Sequence, residues 1–321
     1  MNPEKIFSQA TILTEDFAGM KSQAIGLVER AGLKYDLCHL VPKKPWSWIS
    51  APYWFSPLRA VQPFHIEANQ LHVSVGSVGG AVNAALRSKD SPAIHIQNPR
   101  ISINKFDLVI VNPHDRLSGD NVIVSRTALH RVTPEILFQS KIKWSAFFEN
   151  FPKPLVAVLL GGNNGRFTLG KSEAVQIANQ LADMIKTQNI GVVITPSRRT
   201  DPEVTKIFDH ILSPLGGYVW NGKGENPYMG FLACADFILV TTDSVSMISE
   251  AVATSAPVMI IPLPGKSKRI SSFVQSMQNL DRVRLFKGKL ENWPVQTIDD
   301  TPKIVTALQE RFNLYSEKTP K

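Results

Sequence analysis

The stretch from Asn226 to Pro262 constrains the fold of this 321-residue chain more than any other. An apolar run at 237–240 ends in Thr241-Thr242-Asp243, a serine-rich turn and a helical segment follow, and a second apolar run at 258–261 closes the stretch. A strand, a polar turn, a helix and a second strand in this order are typical of a βαβ unit, whose strands lie parallel in one sheet. The pattern therefore predicts a parallel sheet covered by helices on both faces.

Apolar strand-like runs alternate with helical periodicities along the whole chain, which predicts an α/β protein built from two doubly wound, Rossmann-like halves. The segment Phe151-Pro152-Lys153-Pro154 is the best linker candidate, because its two prolines interrupt regular structure just before a new strand. We therefore expect one domain at 1–150 and a second at 151–321, facing a cleft that holds the site. A last helix at 302–312 follows a polar stretch and is a candidate to return to the first domain.

Composition and charge limit the classes of partner. With 43% hydrophobic and 19% charged residues, the chain is expected to be globular, and no apolar run approaches the ~20 residues of a membrane helix. The N-terminal stretch does not resemble a secretory signal, and the two distant cysteines, Cys38 and Cys234, fit a reducing cytoplasm. A net charge of +8 favours a phosphorylated ligand or an anionic membrane. Nucleic acid is not expected, because no nucleic-acid-binding motif is present.

The serine-rich turn predicts an anion site in the second half. Ser244 and Ser246 fall at a helix start, where free N–H groups and the helix dipole favour negative charge. Glu250 lies about one turn further along, within reach of a sugar hydroxyl, although an exposed helical carboxylate is the alternative. Asp243 is either a helix N-cap or an acid of the site. Together these residues predict a nucleotide-sugar site.

Two other strand ends in the second half carry suitable residues. Gly161, Gly162 and Asn163 directly follow a strand, and glycine allows close approach of the backbone to a ligand. Ser197, Arg198 and Arg199 follow the next strand, and an arginine can bind pyrophosphate with two hydrogen bonds. A tight turn without a ligand and a solvated arginine pair are the structural alternatives. Because ligands bind at the carboxyl ends of parallel strands, we expect these loops to meet at one anion.

Candidate bases lie in the first half, where Asp16 and His114 each follow a predicted strand. A transferase requires a base that accepts the proton of the attacking hydroxyl, and both residue types suit that task. Turn formation by Asp16 and a loop hydrogen bond by His114 are the alternatives. The seven histidines are scattered and no metal-binding motif appears, so no metal is expected in the chemistry.

The segment from Leu37 to Ile66 combines aromatic and basic residues and contains no Asp or Glu. This composition is typical of a loop that rests on an anionic membrane, and a proline-rich loop packed on its own domain is the alternative. The expected membrane-facing residues are Lys43, Lys44, Trp46, Trp48 and Trp54. Such a loop would bring the protein to a lipid-linked acceptor.

Several motifs resemble those of a known family, that of the plant mitochondrial fission factor called elongated mitochondria. They are Asp16-Phe17-Ala18-Gly19 with Gln23 and Gly26-Leu27, Asn121-Val122-Ile123 with Ala128–Thr133, Gly161-Gly162, Ser197–Thr200, Asn226-Pro227-Tyr228, Thr242–Met247 and Ser249-Glu250-Ala251. The second half of that family in turn resembles GT-B glycosyltransferases such as the peptidoglycan N-acetylglucosaminyltransferase. The resemblance implies a GT-B fold with the donor in the second domain, Ser244 and Ser246 at the pyrophosphate, Glu250 at the ribose, and Asn226 among the donor-binding residues.

The expected function is transfer of a sugar from a nucleotide donor to an acceptor hydroxyl. The acceptor is expected to be lipid-linked or a cell-envelope glycan, and the protein a peripheral one on the inner face of the membrane. The nucleotide sugar is then a substrate, and no cofactor is expected. A nucleotide-sugar epimerase on the same fold and a non-catalytic membrane adaptor remain alternatives.

Overall fold

A computed structural model describes residues 6–314, except for the side chain of Ala18. The chain divides into two units: unit 1 is Met1–Arg131 with Asp299–Lys321, and unit 2 is Val132–Ile298. The described strands are Gln9–Thr14 (β1), Lys34–His39 (β2), Leu71–Val75 (β3), Ala93–Ile96 (β4), Leu108–Val111 (β5), Val122–Val124 (β6), Leu155–Leu160 (β7), Gly191–Pro196 (β8), Tyr218–Val219 (β9), Phe237–Thr241 (β10), Val258–Ile261 (β11) and Val283–Leu285 (β12).

The described α-helices lie between most of these strands. They are Ala18–Arg30 (α1), Pro57–Ala60 (α2), Gly76–Leu86 (α3), Pro134–Phe148 (α4), Lys171–Gln188 (α5), Pro202–Leu212 (α6), Tyr228–Cys234 (α7), Val245–Val252 (α8), Lys268–Asn279 (α9) and Thr301–Arg311 (α10).

Each unit contains one parallel sheet. Within the described residues, the strand order is β2-β1-β3-β4-β5-β6 in unit 1 and β12-β11-β10-β7-β8-β9 in unit 2. In unit 2 the chain runs from β7 through β8 to β9 at one edge of the sheet and then crosses back to β10, beside β7. From β10 it continues through β11 to β12 at the other edge, so the strand order reverses between β7 and β10. A crevice forms at such a switch point, at the carboxyl ends of the strands. The corresponding point in unit 1 lies between β1 and β3.

The sheet of unit 2 is buried on both faces because helices cover it. All six residues of β7 are buried, which explains its continuous apolar sequence LVAVLL. The helices that cover the sheet bury one face each, as α5 does with Ala174, Ile177, Ala178 and Leu181. This packing places the polar loops at the strand ends on a rigid core.

The division between the units lies at 131/132, upstream of the expected 150/151. The reason is α4, whose Trp144 and Phe148 pack against the core of unit 2. The Phe148 ring lies 5.7 Å from that of Phe231, which follows the start of α7. Helix α10 belongs to unit 1, where the Asp300 carboxylate before it accepts hydrogen bonds from Arg126.

The expected polar stretch before the last helix contains regular structure. Helix α9 buries Ile270, Phe273, Val274 and Met277, and β12 adds an outer strand to the sheet. These apolar residues recur at the i, i+3, i+4 and i+7 spacing of a helix, a signal that the many Ser and Gln residues between them obscure.

Candidate functional site

The predicted donor-binding loops lie at the switch point of the unit 2 sheet. The Gly161 N–H donates to Thr241 Oγ1 (2.7 Å), which links the end of β7 to the end of β10. Ser197 Oγ donates to the Gly161 carbonyl (2.9 Å), which links the end of β8 to the same loop. The loops after β7, β8 and β10 therefore form one hydrogen-bonded group.

The two glycines after β7 are required by protein packing at this point. A Cβ atom at Gly161 would lie 2.1 Å from a carboxylate oxygen of Asp243, and one at Gly162 would lie 2.1 Å from the Arg199 carbonyl oxygen. Any larger side chain would push the three loops apart. Packing against protein atoms is by itself enough to require glycine at both positions. Contact of this loop with a ligand therefore remains a prediction. The Asn163 side chain accepts from the Leu169 N–H (3.0 Å) and shapes the same loop.

Asp243 holds the group of loops together from its centre. Its buried carboxylate accepts from the Thr241 hydroxyl (2.7 Å) and the Gly162 N–H (3.1 Å), and it pairs with the Arg199 guanidinium (2.9 Å). Asp243 therefore does not cap α8, a role that Ser244 takes. These internal partners make Asp243 a brace for the site.

The two arginines after β8 have different surroundings. Arg199 is committed to Asp243, whereas Arg198 is exposed and has no ion-pair partner within the described part of the chain. The helix that follows begins at Pro202, and the Asp201 side chain caps it by accepting from the Glu203 N–H (2.8 Å). Arg198 is thus the arginine that is available to a ligand.

Helix α8 starts at the switch point with its first N–H groups free of intrahelical bonds. The Ser244 side chain caps it by accepting from the Met247 N–H (3.4 Å), and the half-buried Ser246 lies in the first turn. At the other end of α8, the buried guanidinium of Arg282 donates to the carbonyls of Ala251 and Val252. A cation at the C-terminus and open amides at the N-terminus both suit the helix dipole.

Glu250 is buried in the C-terminal half of α8 and does not have the exposure expected of a surface carboxylate. The Tyr228 hydroxyl, from α7, donates a short hydrogen bond to Glu250 Oε2. Burial, and then the charge of Glu250, raise the pKa of Tyr228 well above its usual value. Asn226 orients the start of α7, since its side chain accepts from the Tyr228 N–H (3.0 Å). The Asn-Pro-Tyr motif therefore fixes the position of Glu250.

The loops at the carboxyl edge of the unit 2 sheet carry an excess of positive charge. Exposed cations on or next to these loops outnumber the acidic residues and form a setting that favours an anion. They are Arg166, Arg198, Lys223, Lys266, Lys268, Arg269 and Lys287.

The structure of unit 1 does not bring the two predicted bases together. Asp16 follows β1 and forms an ion pair with Lys21, while His114 follows β5 and lies near Asp115 (3.7 Å). Strands β3 and β4 separate β1 from β5, which corresponds to roughly 14 Å at the usual strand spacing. At most one of them can serve a given reacting atom, and each role stays a prediction.

Glu15 is a candidate that sequence reasoning missed. It directly follows β1 at the switch point of unit 1, and its half-buried side chain faces Gly76 at the start of α3. Burial raises the pKa of the Glu15 carboxyl, and the nearby His39 opposes that change. A carboxylate at the end of a buried strand, next to Asp16, was the available signal.

The glycines at 76–80 serve helix packing. A Cβ at Gly79 would lie 2.5 Å from the Leu13 carbonyl oxygen, and one at Gly80 would lie 2.9 Å from the His95 ring. Helix α3 therefore lies directly on the sheet of unit 1.

The expected membrane-facing residues divide into two groups. Lys44 and Trp48 are exposed and Lys43 and Trp46 are partly exposed, as the prediction requires. The prediction for Trp54 is wrong, because its ring is buried with Leu40 and Val61 and its indole N–H donates to two carbonyls of the same segment.

No helix within residues 6–314 combines the length and apolar character needed to cross a membrane. Within the same residues, no group of three or more His, Cys, Asp or Glu side chains is arranged to hold a metal ion. The absence of a metal from the chemistry stays a prediction.

Solved structures with the same fold match both halves of this chain. A UDP-GlcNAc 2-epimerase from Methanocaldococcus jannaschii superposes with a TM-score of 0.54 at 12% identity, over 94% of this chain and 99% of that one. UGT71G1 from Medicago truncatula, solved with UDP-glucose, has a TM-score of 0.51 at 10% identity, over 94% and 89%. The predicted fold class, an α/β protein of GT-B type with two doubly wound halves, is confirmed.

Relatives by sequence identify the family. The mitochondrial fission protein ELM1 of Arabidopsis thaliana is 31% identical over 257 residues, 71% of this chain and 59% of that protein. An uncharacterised protein of Rickettsia prowazekii, RP120, is 29% identical over 165 residues, 49% of this chain and 46% of that protein. This chain thus spans roughly half the length of each relative. Because residues 18–312 also match the family profile described as mitochondrial fission ELM1, the chain belongs to that family.

Proposed function

We infer that this chain is a glycosyltransferase, which moves a sugar from a nucleoside diphosphate to an acceptor hydroxyl. The observation that carries this inference is the meeting of three strand-end loops at the switch point of unit 2, beside the open N-terminus of α8. Free amides, a helix dipole and surrounding cations together favour a diphosphate. Two proteins of the same fold support a nucleotide-sugar ligand, since one is a UDP-GlcNAc 2-epimerase by name and the other was solved with UDP-glucose.

Each donor-binding residue then has a distinct task. Arg198, the Ser246 hydroxyl and the first amides of α8 bind the pyrophosphate. Glu250, positioned by Tyr228, accepts a hydrogen bond from a ribose hydroxyl. Asp243 and Arg199 keep the loops in place and do not contact the donor.

The reaction requires one proton acceptor and a stabilised leaving group. The acceptor oxygen attacks the anomeric carbon, the bond from that carbon to the phosphate oxygen breaks, and the diphosphate leaves with the electron pair. Arg198 and the α8 N-terminus stabilise the negative charge that develops. The base that takes the hydroxyl proton stays a prediction, for which Asp16, His114 and now Glu15 are the candidates. The acceptor, lipid-linked or a cell-envelope glycan, stays a prediction.

Binding is tested by calorimetry of the full chain with a panel of nucleoside diphosphates and nucleotide sugars. At least one is expected to bind, and Arg198→Ala should weaken it about tenfold or more through loss of a charge-assisted contact. Lys186→Ala is the matched control, because this exposed cation lies near the end of α5, at the opposite edge of the sheet. The absence of binding by every compound at millimolar concentration would refute the proposal.

Catalysis is tested by product analysis with the nucleotide sugar that binds. Release of the free nucleoside diphosphate together with a glycosylated acceptor is the expected result. Conversion to an isomeric nucleotide sugar would instead identify an epimerase. Tight binding without turnover on any acceptor would favour a non-catalytic adaptor.

A further inference from the structure

We propose that unit 1 docks on an anionic lipid bilayer through a surface formed by residues 41–59, here called the aromatic–basic surface. The proposal is independent of the nucleotide site, which lies in unit 2. The surface presents Trp48, Tyr53 and Phe55 with 75%, 79% and 86% of each side chain exposed. A contiguous patch of large exposed apolar side chains marks an interaction site.

The exposure is built into the structure of the segment. Its ends are joined, because Lys43 N–H donates to the Ala60 carbonyl (2.8 Å) and Gln62 N–H donates to the Val41 carbonyl (2.8 Å). Inside this closed loop the buried Trp54 indole donates to the carbonyls of Trp46 (3.1 Å) and Ile49 (3.0 Å). The turns on either side are thereby fixed with their aromatic side chains pointing outward.

Packing of the aromatic rings supports the same arrangement. The Trp46 ring meets Phe55 edge-on at 4.6 Å and Trp54 at 6.5 Å. Trp46 thus connects the buried anchor to the most exposed ring of the surface. This contact already restricts the Phe55 side chain, so less conformational entropy is lost when Phe55 enters the bilayer.

The charge of the surface identifies an anionic partner. Residues 37–66 contain no Asp or Glu, and Lys43, Lys44 and Arg59 supply positive charge. None of the three has an ion-pair partner within residues 6–314. Cations beside Trp and Tyr are the combination found where proteins meet the headgroups of an anionic leaflet.

A bilayer fits better than single-stranded nucleic acid, which also binds basic and aromatic side chains. The exposed aliphatic residues Val41, Ile49 and Leu58 accompany the aromatic ones, and they offer no face on which a base could stack. Beside Phe55 a groove of about 410 Å³ opens between this segment and α3. Small side chains, among them Ala51, Ala81 and Ala84, line the groove together with the polar Arg87, Asn104 and Lys105.

The proposal is tested by flotation of the full chain with vesicles of phosphatidylcholine alone or with 30% phosphatidylglycerol, without nucleotide. The chain should float with the anionic vesicles only. Replacing Trp48, Tyr53 and Phe55 together with Ser should lower the partition coefficient at least tenfold, and Lys43→Gln with Lys44→Gln about fivefold for each charge removed. Brominated lipid should quench tryptophan fluorescence, and Trp48→Phe should remove most of the quenching.

Phe138→Ser with Ile142→Ser is the matched control, because these side chains of α4 are 59% and 58% exposed and lie beside Lys141 and Lys143. The control should bind vesicles like the unchanged chain, and all variants should keep its melting temperature. The proposal is overturned if anionic vesicles do not bind, or if the aromatic variant binds equally well. It is also overturned if the surface residues govern binding to single-stranded nucleic acid or self-association while vesicles remain unbound.

Discussion

The Arg199 guanidinium forms an ion pair with the buried Asp243 carboxylate at 2.9 Å and bridges the loops that follow β8 and β10. Both residues were expected among the donor-binding groups, and each has a partner in the protein. Arg198, next to Arg199 in sequence, is also exposed but has no ion-pair partner within the described residues. The ion pair therefore separates the residues that shape the site from those that are available to a ligand.

Asp243→Ala should destabilise unit 2 even without a ligand. The change leaves the Gly162 N–H, the Thr241 hydroxyl and Arg199 without their acceptor, and we expect a loss of about 2–4 kcal/mol in the free energy of unfolding. Urea denaturation of this variant, of Arg199→Ala and of the double variant measures the coupling. A coupling energy near zero would contradict the role of Asp243 as a brace. Asp183→Asn, on the exposed face of α5, is the control.

Gly162→Ala should be far more harmful than Gly165→Ala, although both lie in one loop. The new Cβ at 162 would lie 2.1 Å from the Arg199 carbonyl oxygen, a backbone atom that cannot move without the β8 loop. Gly165 has open space around it, and its φ of +73° makes alanine unfavourable by only about 1 kcal/mol. Thermal unfolding of both variants checks the order. Equal melting temperatures would mean that the loops are not packed as described.

Arg282→Met should weaken unit 2 through the C-terminal end of α8. The buried guanidinium donates to four carbonyls, those of Ala251, Val252, Thr254 and Ala256, and burial lowers its pKa to about 10, so it stays charged at neutral pH. Leaving these carbonyls without donors should reduce the free energy of unfolding by about 2–4 kcal/mol. Chemical denaturation measures the loss.

The control for this prediction is Arg284→Met, two residues further along the chain. Arg284 pairs with Asp281 and Glu291 at the surface, where solvent screens ion pairs and they contribute little to stability. A loss in Arg284→Met as large as that in Arg282→Met would show that burial is not the deciding factor.

The stability of unit 1 should fall as the pH decreases, in part because of His95. Complete burial lowers the pKa of this imidazole to about 3, whereas an unfolded histidine titrates near 6.5. Between these values the unfolded chain binds the extra proton, so the free energy of unfolding decreases with falling pH by at most about 1.4 kcal/mol per unit. Burial also lowers the pKa of His72, which acts in the same direction.

Urea denaturation at pH 7, 6 and 5 measures this dependence. In His95→Gln the slope between pH 6 and 5 should become shallower, because one titrating group is removed. His210→Gln, at an exposed position on α6, should keep the slope of the unchanged chain. An identical slope in His95→Gln would contradict the neutral, buried state of His95.

Regular structure was predictable where the apolar pattern was continuous. The apolar runs at 237–240 and 258–261 form strands β10 and β11, because continuous apolar residues suit strands that are buried on both faces of a sheet. Helix α9 was missed because its buried residues are diluted by Ser and Gln. Trp54 was misplaced because composition alone cannot separate an aromatic ring that anchors a loop from one that the loop exposes.

The parallel α/β character of both halves, the family motifs and the three loops that carry polar residues are all readable from the order of the amino acids. The tertiary structure decided the task of each polar residue, because a hydrogen-bond partner can come from a strand that is distant in sequence. In the folded protein the Asp243 carboxylate pairs with Arg199 and accepts from the Gly162 N–H, and Glu250 accepts from the Tyr228 hydroxyl. Strands β3 and β4 lie between the strands that precede Asp16 and His114. Burial and strand order depend on the packing of the whole sheet, and a local pattern of residues does not contain them.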